Sequence, residues 1–200
     1  MSDDRADAGL SRRAFLAVGA ASAVLAPKLA HGSTSSDDAL PILRPGEVRL
    51  SVTLNGAQQT VAMSPELTLL DALRERFGLT SCKRGCEDGS CGACTVLLDG
   101  KRVPACLIPA PLAHKRSVTT VEGLMRDGQL GPMQQAFVDQ QATDCGFCTP
   151  GQVIAATAIV EEGWSQSDDA LRDALCGQAC ACGKKPQIIA AIQQVQKQRR

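Results

Sequence analysis

Tyrosine is absent from this chain, and only five of its 200 residues are aromatic: Phe15, Phe77, Phe137, Phe147 and Trp164. A core without aromatics rests on Leu, Ile, Val and Ala, and in a chain long enough for one or two small domains such a core is thin. Histidine is nearly missing too, with only His31 and His114. That argues against a Rieske centre, which needs two His on one iron. Neither charge sign is in excess, since 21 Lys and Arg balance 21 Asp and Glu. No basic face is evident, so nucleic acid is not expected as a partner. No apolar run approaches the roughly 20 residues that span a bilayer, so no stable membrane insertion is expected. The chain also lacks internal repeats, a G-x-G-x-x-G turn and a P-loop, so no nucleotide site is suggested. What it has instead is ten cysteines. They are the obvious agents for holding a thin core together.

The start of the chain reads as an address label. Ser11-Arg12-Arg13-Ala14-Phe15-Leu16 precedes the weakly apolar run Ala17 to Ala26. A charged start, a short apolar stretch and small residues describe a signal peptide, and the Arg pair resembles a twin-arginine signal. The expected organisation is a leader over residues 1–32 and a Ser-, Asp- and Pro-rich linker over 33–46. Two domains follow, over 47–122 and 123–200.

The first domain reads as β-rich. Val48, Leu50, Val52 and Leu54 alternate with polar residues, as on a half-buried strand. Asn55-Gly56 signals a tight hairpin, with residues 57–63 returning. Thr68 can cap a helix carrying Leu70, Leu73 and Phe77 on one stripe, with Gly78 as its stop. A second hairpin is signalled by Thr95 to Leu98, the turn Asp99-Gly100, and a return from Lys101 to Cys106. Hairpin, helix, loop, hairpin is compatible with a β-grasp sheet packed on one helix.

Between that helix and the second hairpin lies the densest chemistry. Cys86, Cys91 and Cys94 have C-x4-C-x2-C spacing, and Cys106 is expected on the next strand. That spacing is the plant-type [2Fe–2S] pattern. Two bridged irons need four thiolates converging from one side: a tight loop delivers three and its neighbour the fourth. Gly85, Gly89 and Gly92 let the backbone wrap closely and turn N–H groups toward sulfur. A structural zinc site and disulfides are the alternatives. Zinc ribbons usually present paired C-x2-C knuckles, and disulfides need no interleaved glycines. Cys82 is a fifth cysteine, expected to be a spare buried thiol.

From residue 123 the period becomes helical. Met133, Ala136 and Phe137 suggest one helix; Thr149-Pro150 starts a second with Val153, Ile154, Thr157 and Val160; Leu171 and Leu175 suit a third; Ile188, Ile189, Ile192 and Val195 mark a fourth. Four short helices make a plausible bundle. Cys145 and Cys148, then Cys180 and Cys182, sit near the starts of the second and fourth helices, where free N–H groups favour negative charge. Alone, this C-x2-C plus C-x-C set leaves zinc and a thioredoxin-like pair at 145–148 open as rivals, though no βαβ context surrounds that pair. Cys176 reads as a spare core thiol, and His114 as a lone loop residue.

The stretch Gly85-Cys86 to Cys94-Thr95-Val96 resembles the first cluster motif of the xanthine oxidase family's iron–sulfur subunits. Cys145-Gly146-Phe147-Cys148-Thr149-Pro150-Gly151 is similar to their second motif, and Cys180-Ala181-Cys182-Gly183 with Pro186-Gln187-Ile188 completes the set. The likeness runs from residue 48 to 196. It implies an α+β chain: an N-terminal β-grasp [2Fe–2S] ferredoxin-like domain, then a four-helix-bundle [2Fe–2S] domain. It implies Cys86, Cys91, Cys94 and Cys106 on one cluster, and Cys145, Cys148, Cys180 and Cys182 on the other. No residue of this chain is expected to touch substrate.

The family's chemistry would lie in partners. A large subunit holds a molybdopterin centre and hydroxylates substrate. Electrons then leave singly through the helical-domain cluster and the ferredoxin-type cluster to an FAD-binding medium subunit or a cytochrome acceptor. The leader is most like that of periplasmic aldehyde oxidoreductase small subunits, so aldehyde oxidation and twin-arginine export to the periplasm are expected. An N-heterocycle dehydrogenase of isoquinoline or xanthine type is the alternative, as is a free-standing two-cluster ferredoxin. The chain departs from the family pattern at Asp144, usually Gln; at Cys176-Gly177-Gln178, usually Ser-Gly-Asn; at Ala181, often Arg; and at Lys184 and Lys185, commonly a small residue or Thr and then Tyr. These positions lie near where the family's pterin approaches.

Overall fold

The computed structural model describes residues 42–44 and 46–199. The expected leader and the linker before residue 42 lie outside the described residues. Among the described residues, no helix is long and apolar enough to cross a membrane.

The first half folds as a six-stranded mixed sheet around one short helix. Strands β1 (Ile42–Arg44), β2 (Glu47–Leu54) and β3 (Ala57–Met63) are antiparallel, with β2 paired to both neighbours. β1 thus adds a strand within a stretch whose composition reads as linker. The β2–β3 turn is Asn55-Gly56, with φ of 51° and 84°. Two successive left-handed residues make the hairpin turn whose twist suits the flanking strands. The same chemistry recurs at Asp99 and Gly100, with φ of 49° and 78°, between β4 (Thr95–Leu98) and β5 (Lys101–Pro104). Strand β6 (Ser117–Thr119) then slots between β2, to which it is parallel, and β4, to which it is antiparallel.

Helix α1 begins at Leu69 as expected. Thr68 caps it: the Asp71 N–H donates to Thr68 Oγ1 at 3.2 Å, and Thr68 Oγ1 donates to Asp71 Oδ2 at 2.7 Å. After Asp71 the winding loosens into a π-helical turn over Ala72–Arg76, which closes with the Phe77 N–H on the Ala72 carbonyl. Leu69, Leu70, Ala72 and Leu73 bury against Leu50, Val52, Leu54, Val96, Leu98 and Val118 of the sheet. This is the β-grasp arrangement expected from the sequence.

Four helices share a second core: α2 (Pro132–Asp139), α3 (Thr149–Glu161), α4 (Asp168–Ala174) and α5 (Lys185–Gln198). Met133, Phe137, Ile159, Leu171, Ile188 and Ile192 meet there. Helix α3 is apolar nearly all round, which marks a helix enclosed on every side. Val153, Ala156 and Ile159 face the other helices, while Ile154 and Ala158 pack on Leu97 of β4. Strand β4 is therefore buried on both faces, and α3 is the element through which the two cores join. Polar contacts reinforce the junction. The Arg102 guanidinium on β5 donates to both Glu162 carboxylate oxygens at 3.1 and 2.8 Å, and to the Ala174 carbonyl at 2.8 Å.

Candidate metal centres

The loop after α1 is held open and stiff before any cysteine is considered. Arg74 donates to the carbonyls of Thr80 and Cys82 at 3.1 and 2.7 Å. Arg84 bonds the Asp71 carboxylate and reaches Glu87 at 2.5 Å. The Ser90 N–H donates to Asp88 Oδ1 at 2.9 Å, a local side-chain turn. The loop returns with the Lys83 N–H on the Ala93 carbonyl at 3.2 Å.

On this frame Cys86, Cys91, Cys94 and Cys106 gather, and they do so in pairs. The Cys91 N–H points at Cys86 Sγ at 3.3 Å, and these two thiols contact each other. Cys94 contacts Cys106. Cys106 does not lie on the strand, as the spacing suggests. β5 stops at Pro104, which has no N–H to continue the ladder, and Cys106 sits in the 3-10 turn Ala105–Leu107. The Ala105 N–H bonds the Cys94 carbonyl at 3.3 Å, bringing the turn against the loop. The Asp88 carboxylate pushes the Cys86 thiol up, but donors from Ser90 and Cys91 prevail and hold it at about 7. Burial, with the Cys94 thiol beside it, pushes Cys106 up to about 12.

Cys145, Cys148, Cys180 and Cys182 gather in the same paired way: Cys148 with Cys180, and Cys145 with Cys182. The inner pair is half-buried and the outer pair exposed. Cys148 is the N-cap of α3, and Cys180 precedes α5 by a short loop. Burial raises the Cys180 thiol, but backbone N–H groups of Lys184, Cys182 and Gly183 outweigh it and bring the thiol below its ordinary value. That is the anion-favouring helix start expected from the sequence. Burial, with the Cys180 thiol beside it, pushes Cys148 up to about 11. The Cys145 N–H favours a Cys182 thiolate, yet the Cys145 thiol, burial and the Asp144 charge together raise it.

Among the described residues, no three Cys, His, Asp or Glu side chains converge as a cage for one metal ion. Thiols arriving two by two suit a two-iron centre, in which each iron takes two thiolates. Gly85 lets the loop close on the first set: a Cβ there would lie 2.9 Å from Cys91 Sγ. The residues present therefore fit [2Fe–2S] groups at both places.

The two remaining cysteines differ. Cys82 is buried in the first core, and burial pushes its thiol up to about 12. Cys176, expected in the core, is exposed. Helix α4 ends at Ala174, Leu175 takes the buried position, and Cys176 falls just past it on the turn. His114 lies in the turn before β6, as expected, and its Nδ1 accepts from the Ser51 N–H at 3.2 Å.

The two gatherings are neighbours, which spacing could not reveal. The Ala179 N–H donates to the Cys91 carbonyl at 2.9 Å, so one hydrogen bond links a cysteine of the first set to the residue before Cys180. Gln152 Nε2 donates to the carbonyls of Gln178 and Ala179 at 3.2 Å each. The Gln178 side chain turns inward, donating to Thr95 Oγ1 at 2.9 Å, and Thr95 Oγ1 donates to the Gly92 carbonyl at 2.7 Å. Gly151 packs directly on the Gly92 carbonyl, leaving no room for a Cβ on Gly151, while Gln178 and the Gly177 carbonyl leave none on Gly92.

Fold and site together define a two-centre [2Fe–2S] electron-transfer protein. Residues 52–117 match the model of the 2Fe-2S iron-sulfur cluster binding domain, and residues 120–193 that of the [2Fe-2S] binding domain. The chain is 34% identical to the aldehyde oxidoreductase iron-sulfur-binding subunit of Escherichia coli, over 94% of this chain and 88% of that one. It is 43% identical to the nicotine 6-hydroxylase small subunit of Paenarthrobacter nicotinovorans, over 72% of this chain and 87% of that one. Among solved structures, quinoline 2-oxidoreductase from Pseudomonas putida superposes with a TM-score of 0.71 at 41% identity, covering 74% of this chain and 91% of that one. The chain belongs to the family of iron–sulfur small subunits of molybdenum hydroxylases.

Proposed function

We propose that Cys86, Cys91, Cys94 and Cys106 hold one [2Fe–2S] cluster, and Cys145, Cys148, Cys180 and Cys182 the other. Each cluster supplies a one-electron carrier. The observation that carries this reading is the pairing of thiols in both sets, two for each iron. The chain's own part is to fix distance, exclude water and place donors. Gly92, Gly151 and Gln178 set how closely the two sets approach. The Cys91 N–H and the N–H groups after Cys180 face sulfur and stabilise the anionic form. The exposed Cys145 and Cys182 offer the face to which a molybdopterin-binding large subunit would dock. With both clusters bound, the helical-domain set would receive electrons from that subunit and the ferredoxin-type set would hand them on to an FAD-binding subunit or a cytochrome acceptor.

Aldehyde oxidation is the proposed chemistry of the complex. The match to the Escherichia coli aldehyde oxidoreductase subunit covers 94% of this chain, while that to the nicotine 6-hydroxylase subunit covers 72%. Export by the twin-arginine route, to the periplasm, belongs to the same reading. Thiolates take up iron best while reduced, in the cytosol, and a route for folded proteins carries them loaded.

The test is purification of the intact complex, with iron and sulfide analysis and low-temperature EPR of the reduced state. Four irons per chain, two distinct signals and a copurifying molybdenum subunit that oxidises aldehydes are expected. Stoichiometric zinc, or one signal, overturns it. For export, Arg12→Lys with Arg13→Lys should strand the loaded complex in the cytosol, and active enzyme still reaching the periplasm overturns that part.

A further inference from the structure

Lys185 is a long cation in an unusual place. It is the first residue of α5, three positions after Cys182, and is half-buried. A lysine at a helix N-terminus opposes the dipole, so its ammonium is not stabilised by the helix that carries it. The side chain turns instead toward the end of α4. Its Nζ donates to the Gln178 carbonyl at 2.7 Å and to the Leu175 carbonyl at 3.3 Å. The Gln178 carbonyl is the one that Gln152 also reaches. Among the described residues, the ion pairs found do not include this ammonium.

Burial pulls the Lys185 ammonium below its ordinary value, and the charges of Cys180, Cys148 and Cys176 push it back up. Two of those three belong to the inner thiol pair of the helical-domain set, and none belongs to the ferredoxin-type set. Geometrically, the carbonyl that Lys185 bonds most closely belongs to Gln178, two residues before Cys180, and Lys185 itself opens the helix three residues after Cys182, so the half-buried cation is tied to the segment that carries the second cysteine pair of the helical-domain set. A positive charge in a poorly screened position stabilises the more negative member of a redox couple, and one-electron reduction of an iron–sulfur cluster adds one negative charge. We propose that Lys185 is a positioning residue that supplies a fixed positive charge beside the helical-domain cluster and raises that cluster's reduction potential relative to its neighbour. This rests on the two-cluster reading above. The Lys185 ammonium is held by two carbonyls.

The test is an EPR-monitored redox titration of both clusters in the intact complex. Wild type is compared with Lys185→Gln, Lys185→Met and Lys185→Arg. Either neutral variant should make the helical-domain cluster about tenfold harder to reduce, which is about 59 mV for a one-electron couple, with a smaller change at the other cluster. Lys185→Arg should restore it. An unmoved helical-domain potential in a neutral variant overturns the proposal, as does an arginine variant that shifts as far as the neutral ones. If both neutral variants fail to retain the second cluster while Lys185→Arg keeps it, the charge requirement stands, expressed in loading. Loss in all three overturns it. A wild-type complex with a single signal fails the two-cluster reading itself and is distinguished by its iron count.

Discussion

The two cysteine sets solve one problem by different means. The first is nearly local: three cysteines lie within the nine residues from Cys86 to Cys94, and the fourth follows one hairpin later. The second is divided, with 31 residues and the whole of α4 between Cys148 and Cys180. The first set is shaped by its own loop, through short-range bonds of Arg74, Arg84 and Asp88. The second exists only because α3 and α5 pack on one core and bring their N-terminal ends together. A local site is tied to loop chemistry, whereas a divided one is tied to the stability of the fold around it.

That contrast can be broken most directly at the thiolates. Cys91→Ser should remove the first cluster and Cys182→Ser the second, each halving the iron found by metal analysis. Loss of both clusters from one change would show that the sites assemble as a unit. Leu171→Ala comes next, because Leu171 is fully buried between the helices. It should cost about 2–5 kcal/mol by urea unfolding and speed iron release from the second centre to a chelator, leaving the first unchanged. Equal release from both would erase the distinction. Gly151→Ala puts a methyl against the Gly92 carbonyl, where α3 meets the first loop. An expected loss of about 1–3 kcal/mol should come with altered spin coupling between the two EPR signals. The smallest effect is chemical. In iron-depleted protein Cys86, at about 7, is roughly half thiolate at pH 7, whereas Cys82, at about 12, is almost wholly thiol. Iodoacetamide with mass spectrometry should find Cys86 modified and Cys82 spared at pH 7. Raising the pH should increase labelling at Cys86 little beyond pH 8.

Much of the fold was legible in the sequence because its signals are short-range. Asn55-Gly56 and Asp99-Gly100 specify their turns through residues that tolerate positive φ. Thr68 with Asp71 specifies a helix start through one reciprocal bond pair. Those signals fall short where the deciding contact is distant. The spacing of Val153, Ile154, Thr157 and Val160 gives the helix that forms, but not that Ile154 packs on Leu97 of β4 while Val153 joins the helical core. Cys176 follows Leu175 in an apolar-looking run, but the helix ends first and leaves the thiol outside. The bond from Gln178 to Thr95, which closes the seam between the two sets, likewise spans 83 residues and has no local signal.

By itself the sequence determined the two turns, the helix starts, the ten cysteines and the spacing of the first loop. All of these depend on backbone conformations and bonds spanning a few residues. Tertiary structure alone decided that the two centres are neighbours. It set the Ala179 N–H on the Cys91 carbonyl, Gly151 on Gly92, and the Lys185 ammonium on the Gln178 carbonyl. The first two of those contacts join residues far apart along the chain. They arise only once α3, apolar nearly all round, has been packed between the sheet and the other helices.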